Sequence, residues 1–400
     1  MFKVWYEVKL KLLKVYFDNL KMFENGIFEI DFYTSDRVPA TDESAFELQR
    51  PFYTNNILAF AGINASGKTT ALNLVDLACR IVNGSPDYKK GLPTSFPSVF
   101  NEKSLFRCLV WEESNLFLIE SLLVIKNDIE AGDQHFDFEK EEVYVIPSTR
   151  LKKSEMTSWR ELENLASQVH KKCEMSLGFL FSTNYISVAS SIITQISGKR
   201  QQILAVRDNG FRLRENFEGL DKVLRVFDSR IEHLEVSDAG RAFSLTFKGQ
   251  KPTSLSEEGL SEVLSSGTVR GLGLVQRAMI ALENGGYLIV DEIENHLNRQ
   301  LVNVVLDLFT SRKTNPNGAT LVFTTHYPQL LDHIHRKDNV YFLIRESDSG
   351  TCTIKYSDRV KRIENKKSEV FVSNYIRGTA PRYSDVLALK KIISERMSCE

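Results

Sequence analysis

Residues 61–72 read AGINASGKTTAL, with two glycines, a lysine and two adjacent threonines, between the apolar run NNILAF and a segment in which Leu72, Val75, Cys79 and Val82 recur at helical spacing. The pattern Gly62-x-x-x-x-Gly67-Lys68-Thr69 is the spacing of a loop that cradles phosphate between a strand and a helix. The glycines let the backbone curl so that several N–H groups face one anion, and the helix behind adds the partial positive charge of its N-terminus. Gly62, Asn64, Ala65, Ser66, Gly67, Lys68, Thr69 and Thr70 are the positions expected to hold the ligand. Lys68 would reach the β- and γ-phosphates of a nucleotide, and the Thr69 hydroxyl would ligate Mg2+. The plain alternative is a glycine-rich turn.

A second stretch, GGYLIVDEIENHLN at 285–298, supplies carboxylates. Four apolar residues lead to Asp291, and a buried strand would leave it at the carboxyl edge of a sheet, where ligands bind. Asp291 would hold the metal or its water. Glu292 follows it, points elsewhere, and is suited to act as general base on a water. Taken alone, the pair is an ordinary strand end.

Ser265 and Gly267, in LSSGT, open a predicted helix and offer a further anion-binding surface. By itself this is also a plain N-cap. His326, in LVFTTHYPQLLD, closes another apolar run, where a neutral imidazole could hydrogen-bond a γ-phosphate and sense its loss. A lone histidine at a strand end is otherwise packed or solvated. The order of the four motifs along the chain argues for the functional readings.

Elements that would position these residues are legible around them. Residues 8–33 alternate apolar and polar and predict two or three antiparallel strands with ENG as a turn. NILAFAG and GGYLIVDE predict buried strands, as does NGATLVFTTH. LFRCLVWEE, NLFLIESLLVI, EEVYVIPS, RIEHLEVSD and RAFSLTFKG predict further strands. TVRGLGLVQRAMIALEN predicts a helix with Leu272, Val275, Met279 and Leu282 on one face, and NRQLVNVVLDLFTSR an amphipathic helix. The stretch 155–230 reads as a polar helical insertion, too short for a long coiled coil. Four parts are expected: 1–154 with the phosphate loop, the insertion 155–230, 231–345 with the other motifs, and an appendage at 346–400.

The 400 residues carry a net charge of −1, which gives no basic footprint for nucleic acid, although a local groove stays possible. The clusters at 151–153, 198–200 and 362–367 read as solvated faces. Five cysteines without a CxxC pair suggest neither a zinc site nor a disulfide framework, and fit a reducing cytoplasm. Charges interrupt the N-terminal apolar runs, so no signal peptide is expected, and no apolar run is long enough for a membrane span.

The order of phosphate loop, signature, Asp-Glu pair and histidine resembles the heads of ATP-binding-cassette (ABC) ATPases. The Asn64 form of the loop and the strands ending FDNLKMF are similar to the chromosome-maintenance and RecF-like branch. LSSGT, VDEIENHL and FTTHYPQLLD are similar to OLD-type (overcoming lysogenisation defect) AAA ATPases, often encoded beside a nuclease or toxin in phage defence. The resemblance spans roughly 8–345 without 155–230. It implies an α/β P-loop NTPase with a mixed central sheet and an N-terminal antiparallel β subdomain, to which the pattern at 155–230 adds a helical insertion. It implies ATP and Mg2+ as ligands and a homodimer or higher homo-oligomer in which the signature of one head completes the site of the other. It also implies a separate effector protein. Lys21 stands near a family position close to the nucleotide. Two departures are visible: IENHLN follows Glu292, and no glutamine linking the metal to the helical lobe can be placed. Residues 327–400 hold no clustered carboxylates of a nuclease, so an effector would act in trans, and VFVSNYIRGTAPRYSDV is either a docking surface or a packing appendage. Competing readings are a DNA-repair or chromosome-associated ATPase, which would bind DNA with a steep salt dependence, a nucleotide-binding scaffold without turnover, and a transporter engine.

Overall fold

A computed structural model of the chain describes residues 10–85, 92–113, 115–127, 134–172, 187–199, 201–208, 216–346, 350–360, 365–379 and 383–397. Its centre is a six-stranded sheet. From one edge to the other the strands are β10 (Ala205–Arg207), β14 (Tyr287–Val290), β15 (Thr320–Thr325), β5 (Ile57–Ala61), β16 (Val340–Glu346) and β17 (Gly350–Lys355). The first five run parallel and β17 returns antiparallel, so the sheet is mixed. β5 is apolar throughout because both of its faces are covered. Ile57, Ala59 and Ala61 point to one core, and Leu58 and Phe60 to the other.

One core holds α1 (Lys68–Val82), which packs Leu72, Val75, Cys79 and Val82 as the helical spacing predicts. A second six-stranded sheet, antiparallel throughout, closes that core. Its strands lie in the order β2 (Phe28–Asp31), β1 (Leu10–Phe17), β6 (Lys103–Glu112), β7 (Asn115–Asn127), β8 (Gln134–Pro147) and β9 (Ser167–Lys172). Phe17, Phe28, Phe60, Phe100 and Phe106 fill the space between the sheets. Each fully buried side chain of this size contributes roughly 1.5–3 kcal/mol. Polar ties register the two sheets: Leu12 N donates to the Tyr287 hydroxyl at 2.7 Å, and the Lys355 ammonium lies 2.8 Å from Asp31. A hairpin of β3 (Ala45–Gln49) and β4 (Phe52–Asn55) flanks the central sheet.

The other core holds α6 (Ser266–Asn284) and α7 (Arg299–Thr310). The face of α6 departs from expectation. Leu274, Ala278, Ala281 and Leu282 are buried on the sheet side, and Leu272 packs into a satellite cluster, while Val275 and Met279 are half-buried. The reason is that α6 serves two partners. The satellite comprises α4 (Leu220–Phe227), β11 (Ile231–Ser237), β12 (Ala242–Phe247), β13 (Thr253–Ser256) and α5 (Glu257–Val263).

The stretch 155–230 is mixed rather than helical. It holds the helices α2 (Trp159–Leu165), α3 (Ala189–Ser197) and α4, but β9 extends the antiparallel sheet and β10 forms the edge of the central one. Short polar strands of three to six residues carry too little alternation to stand out in sequence; residues 173–186 and 209–215 of this stretch lie outside the described residues. At the C-terminus, α8 (Tyr356–Arg359) and α9 (Lys367–Val372) pack Tyr356, Val370 and Phe371 on the core, joined by Ile376 from the turn that follows, whereas α10 (Tyr383–Met397) buries nothing. No described helix is long and apolar enough to cross a membrane. Cys79 and Cys108 are buried free thiols, and Cys173 and Cys399 lie outside the described residues.

Candidate functional site

Parallel pairing brings the motifs to one edge. Val290 pairs with Phe323 and Thr325 with Ala61, so the chain leaves β14, β15 and β5 side by side at Asp291, His326 and Gly62. The 62–67 loop then turns into α1. Gly62 has no room for a side chain, since a Cβ there would lie 2.5 Å from Leu343 O. Gly67 is left-handed at φ 91° and precedes the helix, and Ala65 takes φ 61°. Asn64 and Ala65 are exposed, Thr70 is half-buried, and the Ser66 hydroxyl is buried without a hydrogen-bond partner among the described residues.

Lys68 is the first residue of α1 and is buried. Its ammonium donates to Gly62 O and Ile63 O, each at 2.9 Å, and lies 3.3 Å from His326 Nδ1. Burial lowers its pKa to about 8, against the opposing pull of Glu292, Asp291 and Glu294. Thr69 Oγ1 donates to Asp291 Oδ2 at 2.8 Å. A hydroxyl beside one carboxylate is the oxygen set that Mg2+ accepts when phosphates and waters complete its shell. The two residues therefore fit that ion. Among the described residues no group of three or more His, Cys, Asp or Glu could hold a metal on its own.

Asp291 and Glu292 diverge as expected of neighbours. Asp291 faces Thr69, and Glu292, with φ 48°, turns its half-exposed carboxylate to His326 Nε2 at 3.2 Å. The imidazole lies between an ammonium and a carboxylate. An ammonium can only donate, so Nδ1 accepts from Lys68 and the ring proton on Nε2 points to Glu292.

Two further residues of the site do not stand out in sequence. Thr324, fully buried, donates to Asp291 Oδ1 at 2.6 Å and accepts from Glu292 N at 2.7 Å, so one hydroxyl holds both acidic positions. Glu294, also buried, accepts from His326 N at 2.6 Å. The threonine pair before the histidine and the second carboxylate in DEIE are the signals that point to them.

Ser265 and Gly267 are placed elsewhere. Ser265 caps α6, accepting from Thr268 N at 3.1 Å, and a Cβ on Gly267 would lie 2.7 Å from His296 O. The signature thus rests on the segment after Glu292 with Ser265 exposed, and no described hydrogen bond joins it to the 62–69 loop. Lys21 is exposed in the turn after β1. Its neighbour Met22 accepts from Thr351 N at 2.7 Å, and Thr351 lies against Gly67, so the turn borders the loop without a contact from Lys21 itself.

A family model described as an AAA domain, putative AbiEii toxin, type IV toxin–antitoxin system, matches residues 118–332. That is more than half of the chain and includes Ser265, Asp291, Glu292 and His326; the phosphate-loop motif precedes the matched span. No curated protein matches the chain.

Proposed function

Because the chain belongs to this AAA-domain family of toxin–antitoxin systems, we propose that it is a Mg2+-dependent ATPase of the abortive-infection type that works as a switch on a separate effector, a nuclease or toxin. Within the wider ABC-like class we assign it to the OLD and RecF-like branch. The observation that carries the reading is the run of contacts Thr69–Asp291–Thr324–Glu292–His326–Lys68, which closes around the N-terminus of α1.

In this reading Lys68 and the loop amides grip the β- and γ-phosphates of ATP. Thr69 and Asp291 would hold Mg2+, which when bound withdraws charge from the phosphate oxygens. Glu292 orients a water in line with the γ-phosphorus and takes its proton, and His326 Nε2–H holds the Glu292 carboxylate until the γ-phosphate draws the ring over. Hydrolysis removes those contacts, which makes the γ-phosphate the signal. The signature serves a second copy, so two heads close face to face with ATP between Lys68 of one and Ser265 of the other. The effector reading is supported by the family's association with a toxin system.

Glu292→Gln tests this. Turnover should fall on the order of 100-fold or more, with ATP retained and the closed dimer accumulating on size exclusion. A variant that hydrolyses ATP as the parent does would overturn the assignment of the base, and a parent without turnover would leave a scaffold.

A further inference from the structure

Two consecutive residues at the end of edge strand β10 are tied to two different helices. Arg207 reaches α1: its guanidinium lies 3.2 Å from Asp76 Oδ2 and donates to Asn73 Oδ1. Asp208 reaches α6: its carboxylate pairs with Arg270 at 2.6 Å and with Arg277 at 3.1 Å. The Asp208 side chain is 1% exposed, and its backbone N–H continues the strand pairing to Ile289 O at 2.9 Å. Successive strand residues point to opposite faces of a sheet. Arg207 accordingly serves the core that contains α1 and Asp208 the core that contains α6.

The helices so joined carry the two halves of the proposed nucleotide site. α1 begins at Lys68 and α6 is capped by Ser265. At 1.5 Å per residue, Asn73 and Asp76 lie about 8–12 Å from Lys68, and Arg270 lies about 8 Å from Ser265. A buried carboxylate between two guanidinium groups is weak evidence for stability, since well-packed apolar residues do as well, but here it ties the end of β10 to two turns of α6. Arg207 and Asp208 are adjacent in the strand, so a shift of α1 that draws on Arg207 bears on Asp208 as well.

We propose that Arg207 and Asp208 are a positioning pair that transmits occupancy of the loop at Lys68 through the β10 edge to the signature end of α6. This rests on the proposed function and deepens it: the same chain that grips ATP at one half-site presents its other half-site to a second copy, and the strand edge couples the two.

Hydrogen exchange on the full chain tests it. With Glu292→Gln as parent, Mg-ATP should slow exchange of the 266–277 amides by roughly 10-fold, and Asp208→Asn should reduce that slowing to less than about 2-fold while the directly titrated ATP affinity stays within about 2-fold. Arg270→Lys, which keeps the charge and loses the fork, should lie between them. If Asp208→Asn keeps the full slowing, the coupling is overturned while the ATPase reading stands. The coupling is equally overturned if that variant raises exchange to the same extent with and without ATP, the mark of a purely structural buttress. If the Glu292→Gln parent binds no Mg-ATP, the reading beneath fails and the coupling fails with it.

Discussion

The Thr324 hydroxyl faces the carboxylate proposed to hold the metal and the backbone of the one proposed to activate water. Replacing it with valine keeps the shape, removes both hydrogen bonds, and leaves Glu292 N buried against a methyl group. The expected result is a loss of turnover on the order of 10- to 100-fold, with ATP affinity changed only a few-fold, read from the split between kcat and the dissociation constant. Thr324→Ser should recover most of the rate, because it restores the donor and acceptor. A valine variant with parental kcat would remove Thr324 from the mechanism. Lys68, Asp291, Glu292 and His326 are legible in sequence because each stands at a fixed offset from an apolar run. Thr324 and Glu294 are not, because their importance comes from the pairing of β14 with β15, a contact between segments over thirty residues apart.

At the scale of elements, legibility follows burial. The strands and helices of the two central cores have strong periodicity and stand out, whereas β9 and β10 lie hidden inside a polar stretch that reads as helix. β10 is only three residues long and half-buried, and what makes it a strand is its parallel partner. The C-terminal appendage resolves into two behaviours. α9 is docked, with Lys367 bonding Ile334 O and Ser368 N donating to Asp332 at 2.9 Å. Burial lowers Lys367 to about 8 from its ordinary 10.5, with Asp332 raising it and Lys337 lowering it further. Between those two values the unfolded chain binds the extra proton, so the contribution of Lys367 to stability is lowest below pH 8 and rises as pH climbs toward 10. The melting temperature of the parent relative to Lys367→Met should therefore move in favour of the parent between pH 8 and 10 and stay level from pH 6 to 7. By contrast, α10 leaves Tyr383, Leu389 and Met397 exposed and buries no residue. Deleting 383–400 should shift the melting temperature by no more than about 2 °C, since surface changes cost little; a larger drop would mean that α10 docks on the chain.

For the whole molecule the decisive question is where the second half of each site comes from. Ser265 is exposed and Gly267 half-buried at the N-terminus of α6, resting on His296, while Lys68 is buried at the start of α1 on the other face of the sheet. In the proposed function one chain would present two complementary surfaces, and a two-fold dimer would satisfy both at once. A net charge of −1 raises no general electrostatic barrier to that approach. Complementation separates this geometry from a site complete within one chain. Chains with Lys68→Ala lack the phosphate grip, and chains with Ser265→Arg lack the signature surface, so each alone should be inactive. Mixed in equal amounts, about half of the dimers pair one of each, and each such pair has one intact site and one doubly broken site. Activity should thus return to about a quarter of the parental value if pairing is random and sites act independently. It should also rise faster than linearly with total protein where dimers are scarce. A site built within one chain predicts no recovery on mixing at any concentration.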